Sequence, residues 1–274
     1  MKSLKLTDSE QYVIDQIDKD IEYFISNNLK NLSIKYNVGE ATLIRLIKKL
    51  EYASLKAMQI DYSLKTKTNE LTKIYPPNSS QNITHNVSSF EIYSILESKN
   101  IVDHEQLKQV ADVIIASKSV VFFGVEASYL SALFLSRNLQ KVGINNTVYE
   151  SVHGCITNLS FVESENSVII IFCSSGLTKE ANEVAKYAIN NNIKVVWITS
   201  TNSIEVNNAN LQKANFKLYH SYHKNETLRF PSISSSSGQM FISNLLFNLI
   251  LNTDKNAFET LEKSNLILKD WNNS

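Results

Sequence analysis

Among 274 residues there are only three prolines, six glycines and two cysteines. No apolar run approaches the roughly 18 residues of a membrane-crossing helix. Cys155 and Cys173 stand far apart with no CxxC spacing, which excludes a disulfide framework and supplies no zinc set. The opening residues MKSLKLTDSEQ lack the apolar core of a secretory leader, so the chain is expected in the cytoplasm with no membrane partner. An excess of charge of either sign is missing too, since 27 Lys and Arg balance 27 Asp and Glu. What is present is apolar material: 43% of the residues are hydrophobic, enough for sizeable cores in two domains.

The charge is balanced in sum but not along the chain. Residues 1–28 carry three Lys against six acids, and residues 29–74 carry nine Lys or Arg against four. Such a basic block is either a solvated helix face or the footprint of a polyanion, and charge alone leaves both open. Ile14, Ile17, Ile21, Phe24 and Ile25 recur at spacings of three and four, which predicts one helix through this stretch. LKNLSIKYN then leads into Val38-Gly39, after which EATLIRLIKKLEY places Leu43, Ile44, Ile47 and Leu50 on one face. Glu40, Thr42, Arg45, Lys48 and Lys49 occupy the other. Two helices at a tight turn, the second with outward cations, make a helix-turn-helix, whose second helix offers early side chains to base edges and cations to phosphates. A plain amphipathic hairpin has the same spacing and stays open as the alternative.

YPPNSSQNITHNVSS, residues 75–89, holds two of the three prolines among small polar residues and reads as a linker. The expected domains are therefore 1–75, a linker 76–89, and 90–274. In the last of these, two entry helices precede SVVFFG, NNTVYE, SVIIIF, IKVVWITS and FKLYH, five β-rich runs separated by helical patterns. This alternation predicts an α/β fold, a parallel sheet with helices on both faces, following the all-α amino-terminal domain. Ligands of such sheets bind at the carboxyl ends of strands. IIIFCSSGLTKEA, residues 169–181, is such an end: a strand runs into Cys, Ser, Ser, Gly and Thr just before a helix. Hydroxyls and free N–H groups gather there as they would to hold an anion, or only to cap the helix.

NLSIKYNVGEATLIRLIKKLEY resembles the turn and recognition helix of RpiR-type transcriptional regulators, with Val38, Ala41, Thr42, Arg45, Lys49, Leu50 and Tyr52 in matching places. Leu6-Thr7 and Ser9-Glu10 resemble the opening of the same proteins. GVEAS (124–128) and CSSGLT (173–178) are similar to the two phosphate-holding loops of the sugar isomerase, or SIS, domain, which follows the helical domain in those regulators. The resemblance implies a regulator that binds double-stranded operator DNA through Glu40, Thr42, Arg45, Lys48 and Lys49. It also implies a phosphosugar effector held by Gly124, Ser128, His153, Ser174, Ser175, Gly176 and Thr178, and a homodimer or homotetramer. No catalytic residue, metal or cofactor is implied. The departures are Gly39 where a capping Ser is usual, Glu126 for the second loop Gly, Cys173 for a Ser, Leu177 for a Glu, and Ser236 where Arg is frequent. A carboxylate within about 4–6 Å would repel a phosphate. A sugar-phosphate isomerase, and a regulator whose SIS domain only pairs subunits, remain the alternatives.

Overall fold

The computed structural model describes residues 6–60, 62–63, 73–222 and 233–272. The chain divides into two compact units, Met1–Pro76 and Pro77–Ser274.

The first unit is all helical: α1 (Asp8–Lys19), α2 (Ile21–Ser26), α3 (Leu29–Lys35), α4 (Glu40–Lys49) and α5 (55–60). Thr7 and Glu10 form a reciprocal capping box at the start of α1, each satisfying a backbone N–H that the first helical turn would otherwise leave bare. The single helix expected across residues 14–25 is in fact two. Asp20 turns out of helical geometry and its carboxylate accepts from Tyr23 N–H, capping α2, so a local side-chain bond overrides the apolar spacing. Val13, Ile17, Phe24, Leu32, Tyr36, Leu43, Leu46, Ile47 and Met58 form the core. On α4 the expected inward residue Ile44 is 42% exposed, and Leu46 is buried in its place. Leu43, Leu46 and Ile47 of α4 meet the other helices of the unit in this core.

The second unit opens with α6 (Ser80–Ile101) and α7 (His104–Ala116). The segment read as a linker is thus helical from residue 80. Ser79 caps α6 by accepting from Asn82 N–H, and no proline follows to stop it. Composition misled because the buried residues of α6 are polar and small, Asn86, Ser89, Ser94 and Ser98, in a helix that packs closely on the later helix Ile233–Thr253.

Five strands follow: β1 (Ser119–Gly124), β2 (Asn146–Tyr149), β3 (Ser167–Phe172), β4 (Lys194–Ser200) and β5 (Phe216–His220). Between and after them lie α8 (Ala127–Lys141), α9 (Val152–Leu159), α10 (Lys179–Asn190), α11 (Ala209–Lys213), α12 (Ile233–Thr253) and α13 (Lys255–Asn272). All pairings are parallel, in the order β2-β1-β3-β4-β5. Alternate residues on each strand feed opposite faces. Phe122, Ile170, Phe172 and Ile198 pack with α7, α8 and α12 residues, while Phe123, Ile169, Ile171 and Trp197 pack with those of α9 and α10. Each such buried side chain contributes about 1.5–3 kcal/mol relative to exposure. Strand β3 is buried along its whole length, as a central parallel strand covered on both faces must be.

The strand order reverses between β1 and β3. Chain leaving β1 crosses to β2 on one side, and chain leaving β3 crosses to β4 on the other, and sheets of this kind bind ligands in a crevice at the carboxyl ends of such strands. The two loops singled out by sequence, 124–128 and 173–178, stand at those ends.

Candidate functional site

In the second unit the site is built from the ends of β1, β3 and β5 and the first turns of α12. Gly124 ends β1 where a Cβ would lie 2.7 Å from backbone atoms of Ser128 and Tyr129, so only glycine lets α8 begin this close to the strand. Gly176 has φ +68 in the second loop, and its carbonyl accepts from the side chains of Asn182 and Asn208. The carbonyl of Ser174 accepts from Ser200 N–H at 3.1 Å and from the Ser200 hydroxyl at 2.7 Å. The second loop is therefore pinned to the end of β4.

The structure joins Ser128 to Ser174. Gln239, from α12, donates from Nε2 to Ser128 Oγ at 3.1 Å and to Ser174 Oγ at 2.9 Å. Ser174 Oγ also lies 3.2 Å from His220 Nε2. Gln239 and His220 are both buried. Burial lowers the His220 pKa to about 4, so the ring is neutral at physiological pH, and its Nδ1 has no hydrogen-bond partner among the described residues. Neither Gln239 nor His220 was among the site residues expected from sequence. A histidine at the carboxyl end of a strand was the one available signal for His220.

The expected cradle members divide. Ser175 is exposed and its hydroxyl accepts from Leu177 N–H at 3.1 Å, while Thr178 Oγ1 accepts from the buried Cys173 thiol at 3.3 Å. Both hydroxyls thus bond within their own loop. His153 lies exposed on α9, with no hydrogen bond to the Ser128–Gln239–Ser174 bridge. Leu177 is 63% exposed.

Glu126 adopts φ 51 and ψ −121, a region favourable only to glycine, and its side chain is exposed. Its backbone N–H donates to Glu150 Oε1 at 3.1 Å. The carboxylate that occupies this loop amide is accordingly that of Glu150. Glu126→Gly removes the steric strain at little cost elsewhere, and the variant is expected to be about 1 kcal/mol more stable in urea unfolding. A less stable variant would show that the Glu126 side chain holds the loop rather than straining it.

In the first unit, α4 begins at Gly39 with no side-chain cap, whereas Asn37 at φ 53 turns the chain after α3. Glu40, Arg45 and Lys48 are exposed, and Thr42 is half-buried beside Arg45, whose terminal nitrogen lies 3.4 Å from Thr42 Oγ1. Lys49 differs from the rest: its ammonium is 2.6 Å from Glu10 Oε2. That ammonium and the Thr7 N–H hold the Glu10 carboxyl below its ordinary value of 4.5. Lys49 therefore fastens α4 to α1. Lys65 and Lys67 of the basic segment lie outside the described residues.

Among the described residues no group of His, Cys, Asp and Glu could hold a metal, and no helix is long and apolar enough to cross a membrane.

Comparison with known proteins is consistent along the chain. The SIS domain family matches residues 113–249. An uncharacterized HTH-type transcriptional regulator of Clostridium perfringens is 25% identical, the match covering 90% of this chain and 88% of the relative. One from Haemophilus influenzae is 24% identical over 96% of this chain and 93% of its own length. Among solved structures, the Vibrio vulnificus NanR protein complexed with ManNAc-6P aligns with a TM-score of 0.62 at 17% identity, covering 97% of this chain and 94% of that one. The matched segment runs from α7 to α12 and takes in both switch-point loops and Gln239. The chain belongs to the SIS domain family, and its relatives along nearly the full length are HTH-type transcriptional regulators.

Proposed function

We propose that the chain is a cytoplasmic DNA-binding transcriptional regulator of sugar metabolism. In this reading α4 enters the major groove of operator DNA, and the switch-point crevice receives a phosphosugar or related anionic metabolite. The observation that carries the proposal is the joining of Ser128 and Ser174 by Gln239 at the switch point, in a chain that also presents Arg45 and Lys48 on an exposed second helix. Regulators of this architecture act as homo-oligomers on half-sites about one helical turn apart, so the operator is expected to be an imperfect palindrome. Within the proposed interface Glu40, Thr42, Arg45 and Lys48 face DNA, while Lys49 supports the helix from behind. Ser128, Ser174 and Gln239 contact the effector, with Gly124 and Gly176 shaping the loops and Ser175 and Thr178 at the rim.

A non-enzymatic role is supported by the chemistry of the crevice. Isomerisation of a sugar phosphate needs a base positioned beside the carbonyl. The loop position that bears a carboxylate in the SIS pattern is Leu177, His153 lies exposed on α9, and His220 is neutral and sealed from solvent.

The test is binding of the purified protein to DNA flanking its own coding region, with and without a panel of phosphosugars that includes ManNAc-6P. Arg45→Ala should weaken specific binding by about 1–3 kcal/mol, as for a lost bidentate base contact, and leave non-specific binding less affected. Equal affinity of the wild type for flanking and scrambled DNA would defeat the DNA-binding reading. Steady turnover of a panel member would replace the effector reading with an enzymatic one.

A further inference from the structure

The polar bridge at the crevice does not stop there. Gly238, next to Gln239 on α12, is held so tightly that a Cβ would lie 2.7 Å from His220 Nδ1 and 2.9 Å from Ser94 Oγ on α6. Beyond His220 the chain continues to Ser221, whose carbonyl accepts from the Ser94 hydroxyl at 2.6 Å and whose N–H donates to Ser98 Oγ at 2.9 Å. Ser94 and Ser98 are fully buried on α6. This helix is the first element after the junction of the two units at Pro76 and Pro77.

A line of short polar contacts thus runs from Ser128 through Gln239 to Ser174 and on to His220, and the backbone step from His220 to Ser221 carries it to Ser94 and Ser98 of α6. The buried residues of α6 are serines and an asparagine, and where Ser94 and Ser98 meet Ser221 and the bare Gly238 its seating depends on matched hydrogen bonds and close approach. Hydrogen bonds have definite registers, and a helix seated by them settles in discrete positions.

We propose that this line is a relay by which occupancy of the crevice sets the seating of α6, the helix that leads out of the DNA-binding unit. Both N–H groups of the Gln239 side chain are spent on the two loops. A ligand oxygen that takes either one withdraws it from a serine, and Gly238 leaves no slack for α12 to adjust without moving His220 or α6. The relay's regulatory purpose rests on the regulator reading above, but its mechanical content does not. Coupling of this kind is shown only by a perturbation at one end that is read at the other, and it must be reciprocal.

Hydrogen–deuterium exchange of the full-length protein without ligand supplies the test. Gln239→Leu should speed exchange about tenfold or more in residues 92–101 of α6 as well as in loops 124–128 and 173–178, with β1 and β3 unchanged. The double variant Ser94→Ala, Ser98→Ala should speed exchange in the two loops. Lys118→Ala, which removes an exposed ion pair with Glu163, should change neither. Faster loops with α6 at the wild-type rate would overturn the relay, as would acceleration spread equally over the central strands, which reports general unfolding. The regulator reading fails by a different measurement, loss of DNA specificity, so the two can be told apart.

Discussion

Gly124→Ala is expected to destabilise the second unit by about 3 kcal/mol and to abolish any ligand-induced thermal shift. Overpacking of a well-packed site costs about 1–3 kcal/mol where side chains can yield. Here the added methyl would meet the carbonyl carbon and oxygen of Ser128 and the nitrogen of Tyr129 at 2.7 Å, main-chain atoms of the first turn of α8 that cannot rotate away. The strand cannot retreat either, because β1 pairs on both sides, with β2 and β3. The loop would have to open, carrying Ser128 away from Gln239. Urea unfolding followed by Trp197 fluorescence, which reports on the buried centre of β4, measures the loss. A variant within about 0.5 kcal/mol of wild type, an ordinary surface-substitution effect, would contradict the close approach of α8 to β1.

The second large effect comes from pH. His220 has an ordinary value of 6.5 and is held near 4 in the fold by burial. Between those values the unfolded chain takes up a proton that the folded chain refuses, so stability from this residue is fully present above 6.5 and falls as the pH drops toward 4. Going from pH 7 to pH 5 should cost the second unit about 2 kcal/mol on this account. His220→Gln should flatten the dependence, since an amide can keep a bond to Ser174 without titrating. Unfolding curves of both proteins at the two pH values decide it, and parallel losses in wild type and variant would show that His220 is free to protonate in the fold.

These expectations rest on parts of the molecule that were legible in the sequence to different degrees. The five strands stand where the β-rich runs placed them, and β1 matches its run residue for residue, because a strand covered on both faces needs an uninterrupted apolar segment. The capping box of α1 joins Thr7 and Glu10, which the sequence marked only as part of a stretch resembling the opening of a family. Local rules failed where the local signal was weak or ambiguous. Serine and asparagine in residues 80–89 favour a loop by composition, yet they form the first turns of a helix that Ser79 caps and that packs on α12 as a whole. On α4 the spacing allowed either Ile44 or Leu46 to face inward, and packing against the rest of the first unit chose Leu46.

By itself, then, the sequence determined the α/β alternation, the parallel order of layers, the positions of the two loops and the helix that carries Arg45, since each depends on residues within a turn or a strand of one another. Tertiary structure alone decided which of these groups meet. Gln239 reaches Ser128 across 111 residues of chain and Ser174 across 65, and Lys49 is drawn from the expected DNA face to Glu10 across 39. Residues so far apart leave no periodicity to read. Their meeting is set by the reversal of strand order at β1 and β3, which brings the ends of distant strands and the first turns of α12 to one edge of the sheet.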